Sequence, residues 1–151
     1  IRALIADFRC EINHEGISIA LQELSKDFQE RNNIILLYHN KLVDLELPLE
    51  HEIQVYYIVQ EALVNIARHS GASHARLHVD ARFGYVIFTI EDNGIGACTF
   101  TQVEGHYGMM IMRERAHRIG GEILVKSATG LGTQVQLYFP EPTLDWRVVN
   151  E

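Results

Sequence analysis

The residues best suited to chemistry share one stripe of a helical segment. From about Glu50 to His69, the apolar residues Ile53, Val55, Tyr56, Ile58, Val59, Ala62, Leu63, Val64, Ile66 and Ala67 fill well over half of a wheel turning about 100° per residue, so the helix is expected to be largely buried. The narrow remainder is Gln54, Glu61, Asn65 and Arg68, with His69 at the margin, because positions four and seven apart lie above one another. A solvated stripe is usually rich in Lys and Glu. Here a carboxylate, a carboxamide and a guanidinium follow along one line. They are a base, a neutral oxygen ligand suited to Mg2+ and a phosphate-pairing cation, the set that a nucleoside triphosphate demands.

Three glycine segments add to that set. The β-prone run Tyr85 to Ile90 leads into Glu91-Asp92-Asn93-Gly94-Ile95-Gly96, which puts an acid and two glycines at a strand's C-terminal end, where ligands often bind. Alone, Asp-x-Gly-x-Gly also describes an ordinary turn with Gly at positive φ. The dinucleotide fingerprint needs a third Gly where Thr99 stands, and no Gly-Lys-Ser/Thr phosphate loop exists anywhere in the chain. Gly105-His106-Tyr107-Gly108 is expected to open a Met-rich helix, whose free N–H groups and positive dipole end could face an anion. Gly130-Leu131-Gly132-Thr133 makes the third segment, and Met109, Met110 and Met112 read as core packing.

Positioning these residues requires the following elements. Ile17, Leu21, Leu24 and Phe28 recur at helical spacing, Asn32-Asn33 is a stop, and Ile34 to Tyr38 is a short strand followed by a loop with Pro48. Ser70-Gly71 closes the long helix. Ala75, Leu77, Val79 and Ala81 alternate with Arg76, His78, Asp80 and Arg82, and a turn at Phe83-Gly84 makes a hairpin with Tyr85 to Ile90. Met109, Met112, Ala116 and Ile119 line one side of a further helix that Gly120-Gly121 ends, and two strands flank the turn at 128–132. Strands with one apolar and one polar face belong to a sheet covered on one side only. That predicts an α+β two-layer sandwich, its sheet mixed but mainly antiparallel, rather than a parallel doubly wound fold.

The 151 residues suffice for one domain with its own core, and 47% apolar against 22% charged residues describes a globular chain. Thirteen Lys and Arg against twenty Asp and Glu, a net charge of −7, argue against nucleic acid or anionic lipid as partner. No apolar run approaches the ~20 residues of a membrane span, so no membrane contact is expected of this stretch. Cys10 and Cys98 are too few for a disulfide framework, no Cys/His cluster has zinc-ligand spacing, and a reducing compartment is the simpler setting. With no initiator Met, no signal-peptide pattern and an opening inside a helical stretch, the chain is expected to be a piece of a longer protein.

Taken in order, these motifs resemble the Bergerat ATP-binding fold shared by histidine kinases, type II topoisomerases, mismatch-repair ATPases and the large heat-shock chaperone. Gln60 to His69 is similar to that family's N box, Asp92 to Gly96 to its first glycine box, Gly105 to Gly108 to the second and Gly130 to Thr133 to the third. His106 to Ala116 looks closest to bacterial sensor kinases of the nitrate/nitrite type. The resemblance implies an ATP-dependent protein histidine kinase with ATP and Mg2+ as cofactors. Glu61 would orient or deprotonate the nucleophile, Asn65 would bind Mg2+, and Arg68 and His69 would touch phosphates. Asp92 would accept from the exocyclic amine of adenine, with Thr133 assisting through water. Guanine sets a carbonyl there, an acceptor against an acceptor, which a buried site can reject by up to ~10⁴-fold. His106, Tyr107, Gly130 and Gly132 join the nucleotide site through their boxes, and Gly94, Gly96 and Gly108 would bound a lid.

The resemblance also implies partners: a histidine-bearing dimerisation domain of the same full-length protein, and a response regulator. The setting would be the cytoplasmic side of an inner-membrane sensor. Residues 1–15 would end the dimerisation segment or a linker, 16–140 form the catalytic domain and 141–151 a tail holding Trp146. None of the eight histidines has the phosphoacceptor's neighbourhood; His14, followed by Glu15, comes nearest. Two rivals stay open: a related ATPase or serine kinase, and a degenerate interaction module.

Overall fold

The computed structural model describes residues 2–42, 44–96 and 103–142, with side chains at 16–42, 44–96 and 107–142. Residues 97–102 with Cys98, Trp146, and the side chains of Cys10, His14 and His106 lie outside what is described.

Helix α1, Arg2–Asn32, is two helical stretches divided at Gly16, whose φ of +82° no helix contains. Its second stretch buries Ile17, Ala20, Leu21 and Phe28. It stops at Asn33, which takes a left-handed φ of +51°, one of the few non-glycine types to do so readily. Strand β1, Ile35–Asn40, follows. Helix α2, Leu49–Asn65, starts behind Pro48 and passes into a single π turn, Ile66–Ser70, which Gly71 ends at φ +62°. Strands β2, His74–Arg82, and β3, Tyr85–Asp92, form the expected hairpin. Helix α3, Val103–Arg118, precedes β4, Glu122–Ser127, and β5, Thr133–Pro140.

The five strands lie in the order β1-β2-β3-β5-β4, with β1 parallel to β2 and the other pairs antiparallel. Alternation sorts the faces. Leu77, Val79, Phe88, Ile90, Leu137 and Phe139 point inward and are fully buried, while Arg76, Lys126 and their neighbours face out. The helices cover the inward face, with α2 packed between α1 and α3. This is the two-layer α+β sandwich that the alternation predicts.

The end of α3 follows from its glycines. Gly120 takes φ +70°, its N–H donates to His117 O at 3.1 Å, and the Gly121 N–H donates to Ala116 O at 2.9 Å, which is a Schellman closure. Met109, Met112, Ala116 and Ile119 are buried as expected. Met110 is not: it is 51% exposed, because it lies about 100° from Met109 around the helix and faces away from α2 and the sheet.

Candidate functional site

The inward rows of the sheet are apolar until the end of β3, where the row closes on polar groups. Asp92 pairs across the ladder with Thr133, and Thr133 with Ser127 on its other side, so the three side chains share the helix-facing side at one end of the sheet. A cleft of about 400 Å³ wraps round that end of the sheet, lined by Asp92, Ser127 and Thr133 together with the outward-facing Glu91, Lys126 and Gln134. The Asp92 carboxylate accepts the Gly94 N–H at 2.8 Å. Burial pushes its pKa up, and backbone N–H groups of Gly94 and Thr133 pull the other way. A carboxylate has about four acceptor positions, so capacity remains for a ligand's donor.

The glycines around this cleft are there for close approach. A Cβ on Gly94 would overlap the Ser70 carbonyl, and one on Gly132 the carbonyl of Asp92. Gly96 stands in the same way against the Ala128 carbonyl. The Ile95 N–H donates to Ser70 O at 2.8 Å and the Gly130 N–H to Ile95 O at 2.9 Å. Thus the first and third glycine segments are interlocked, and the first is bound to the C-terminal end of the α2 helical run. Asn93 acts as a clamp rather than a ligand group: its Oδ1 accepts the N–H groups of Ser73 and His74, each at 3.0 Å.

On α2, Glu61 and Asn65 are half-buried and face α3. Gly108 is buried against them, with room for nothing more: a Cβ there would stand 2.5 Å from Glu61 Oε1. The second glycine segment stands in the first turns of its helix, as expected, with α3 beginning at Val103. Gly105 to Gly108 lie inside α3, and an N–H as deep as that of Gly108 falls within the reach of the helical ladder, so only the first four N–H groups could meet an anion. Tyr107 is exposed.

Arg68, Ala67 and Gln54 depart from the wheel. In the π turn the i→i+5 bonding gives each residue less than the α-helical rotation, so the chain after Asn65 falls behind. Ala67 becomes exposed instead of buried, and Arg68 lines a groove between α1 and α2 with Asp27, Arg31 and Val64 rather than standing above Glu61 and Asn65. His69 stays half-buried at the margin. Gln54 is no part of a solvated stripe. It is 3% exposed, donates to Glu50 Oε1 at 2.9 Å and accepts from Arg115 Nη1 at 3.0 Å. The Arg115 guanidinium lies 4.7 Å over the Tyr57 ring, so α3 is braced on α2 two turns from Glu61.

Three contributors escaped sequence reasoning. Ser70 Oγ donates to Ile66 O at 2.6 Å and its carbonyl carries the first glycine loop; Arg115 braces the helices; Ser127 touches the Thr133 hydroxyl. Only Gln54, a lone amide beside an apolar face, hinted at any of them.

A model of the histidine kinase-, DNA gyrase B- and HSP90-like ATPase family matches residues 50–143, and the chain belongs to that family. It is similar to the nitrate/nitrite sensor protein NarQ of Escherichia coli strain K12, 34% identical over 140 residues, 92% of this chain and 25% of that protein. It is likewise similar to NarX, the nitrate/nitrite sensor protein of the same strain, 31% identical over 144 residues, 95% of this chain and 24% of that one. The chain therefore spans about a quarter of the length of these curated relatives. Among solved structures, the histidine kinase domain of the Erythrobacter litoralis EL346 blue-light activated kinase shares the fold at a TM-score of 0.69 and 20% identity, over 82% of this chain and 60% of that one. Full-length ShkA in complex with AMPPNP shares it at 0.66 and 21% identity, over 86% of this chain and 30% of that one.

Proposed function

We propose that this chain is the catalytic domain of a nitrate/nitrite-sensor histidine kinase. It binds ATP with Mg2+ and passes the γ-phosphoryl to a histidine on the dimerisation domain of the same full-length protein, for relay to a response regulator. The bond from the γ-phosphorus to its bridging oxygen breaks, a phosphorus–nitrogen bond forms, and ADP leaves. The observation that carries this reading is the Asp92–Thr133–Ser127 row, joined through the Gly94–Ser70 contact to the helical run that holds Glu61 and Asn65.

The residues suit both cofactors. Asp92 has acceptor capacity left in a half-buried cleft for the adenine amine, with Thr133 beside it. Asn65, half-buried beside Glu61 under Gly108, would bring a neutral amide to an ion that takes most of its ligands from phosphate and water. Asn65 would hold it. When bound, Mg2+ neutralises charge on the triphosphate. Glu61 orients the incoming histidine and takes its proton, and His69, Tyr107 and His106 are assigned to the phosphate side, while Arg68, turned into the α1–α2 groove, is left out of that set. Gly96, Gly108, Gly130 and Gly132 keep side chains out of the site.

We further place the domain boundary at the Gly16 break, with residues 1–15 ending the dimerisation segment, 16–140 forming the catalytic domain and 141–151 its tail. We place the domain on the cytoplasmic side of an inner-membrane sensor. Among the described residues no helix is long and apolar enough to cross a membrane. Calorimetric titration with ATP and GTP, with and without Mg2+, tests the core of the reading. ATP binding without GTP binding is expected. A folded chain that ignores ATP would overturn it in favour of a degenerate module.

A further inference from the structure

The end of the sheet opposite the cleft presents aromatic side chains on the face away from the helices. Tyr85, which begins β3, pairs with Pro140, which ends β5, and further in Ile87 pairs with Tyr138. Tyr85 and Tyr138 alternate with the buried Val86, Leu137 and Phe139, so both turn outward. Tyr85 is 43% exposed, and its ring meets that of Tyr138 edge-on at 6.0 Å between centroids. Beyond them Phe83 stands at the hairpin tip, 99% exposed, with a left-handed φ of +52°. A tight turn of that hand favours Asn, Asp or Gly at this place, and a bulky side chain there carries backbone strain. Among the described residues Phe83 gains no packing in return.

The chain leaves the sheet at this same patch. The Glu141 N–H donates to Gly84 O at 2.8 Å, which ties the exit to the hairpin tip, and residues 143–151 continue from there. Trp146 follows Pro140 by six residues, about 20 Å of extended chain, while Tyr85 lies on the neighbouring strand only about 5 Å from Pro140. Leu144, Trp146 and Val148 alternate with Asp145 and Arg147, a pattern that gives an extended segment one apolar face. We propose that Phe83, Tyr85 and Tyr138 form the docking surface for the chain's own C-terminal segment 143–151, with Trp146 as its anchor. Exposed aromatic clusters mark contact surfaces, and tryptophan is prominent among the side chains that anchor on them. The contact gives Phe83 a use that the residues preferred by its turn do not supply.

Trp146 is the single tryptophan, so its fluorescence reports on the segment directly. In the 151-residue chain it should emit at shorter wavelength, and be quenched more slowly by acrylamide, than in the chain unfolded by guanidinium. Phe83→Asn removes the ring and suits the turn, so the hairpin stays intact; the docked-to-released ratio should fall by about three- to tenfold, the worth of one aromatic contact. Tyr138→Thr keeps a strand-favouring residue and should act in the same direction. Leu37→Thr takes an exposed apolar side chain from β1 instead, and should leave the emission unchanged. A tryptophan as open to quencher in the wild type as in Phe83→Asn would overturn the assignment. So would an equal shift in all three variants, which would mean contact with apolar surface in general. Protection that fades on dilution would give the patch to a second copy of the chain and overturn it as well.

Discussion

Gly108 of α3 lies against the Glu61 carboxylate of α2, so closely that a methyl group at its Cα would stand 2.5 Å from Glu61 Oε1 and 3.7 Å from Asn65 Nδ2. A helix interior disfavours Gly relative to Ala by about 1 kcal/mol, so this position sacrifices local stability for space. Gly108→Ala should therefore leave the unfolding free energy within about 1 kcal/mol of the wild type, since the flexible end of Glu61 can move. Phosphoryl transfer to a supplied histidine-bearing domain should fall by about tenfold or more, because Glu61 is displaced. Denaturant unfolding and a transfer assay read the two effects separately, and normal transfer would break the link between the glycine and the carboxylate.

Replacing the carboxylate alone isolates its chemistry. Glu61→Gln keeps shape and hydrogen bonding but removes the base, so nucleotide affinity should stay within about twofold while transfer falls by about tenfold or more. Calorimetry against single-turnover transfer distinguishes the two. Equal loss in both would make Glu61 a binding group instead.

Asn65→Ala removes the carboxamide that lies beside Glu61 under Gly108. The Mg2+-dependent part of ATP affinity should disappear, so that titrations with and without a chelator coincide. A persistent chelator effect would place the ion elsewhere.

How much of this was legible in the sequence depended on which residues set the geometry. The hairpin, the one-sided sheet and the C-terminal stop of α3 follow from alternation and from Gly84 and Gly120, which report directly on local backbone. Glu61 and Asn65 come together because both lie in regular α-helix, where the wheel applies. Arg68 does not join them, since it lies in the π turn, where Ser70 bonds back to Ile66 and the Gly94 loop, distant in sequence, presses on Ser70. For the same reason Ser127 went unseen. It sits in an ordinary alternating strand, and its meaning arises only from the register that places it beside Thr133.

Asp92→Asn should trade function against stability. Burial makes the Asp92 carboxyl harder to ionise in the folded chain than in the unfolded one. Its favourable contribution is thus complete at acid pH and is lost as pH climbs through the raised native value. Asparagine keeps an oxygen for the Gly94 N–H and carries no charge. The variant should melt higher than the wild type near pH 8, with the gain shrinking toward about pH 4, the ordinary Asp value. ATP affinity should meanwhile drop about ten- to a hundredfold, the worth of a hydrogen bond to a charged group. Melting curves at the two pH values decide the first half: a gain larger at pH 4 than at pH 8 contradicts the burial argument.

Gly130 and Gly132 share a turn and a left-handed backbone, at φ +78° and +79°, yet they should respond differently to a side chain. A Cβ on Gly130 meets open space, while one on Gly132 overlaps the carbonyl of Asp92, a backbone atom that cannot swing aside. Each alanine bears the left-handed penalty of about 1–2 kcal/mol. Gly132→Ala must also push β3 and the third glycine turn apart, raising its cost to about 3 kcal/mol or more and moving Asp92 out of register with Thr133. Denaturant midpoints of the two variants provide the comparison. Equal costs would mean that the turn has room to relax and that Gly132 serves only its own backbone conformation. A larger cost at Gly132, accompanied by loss of ATP affinity, would show that the close approach of turn and strand is what holds the Asp92 carboxylate in place.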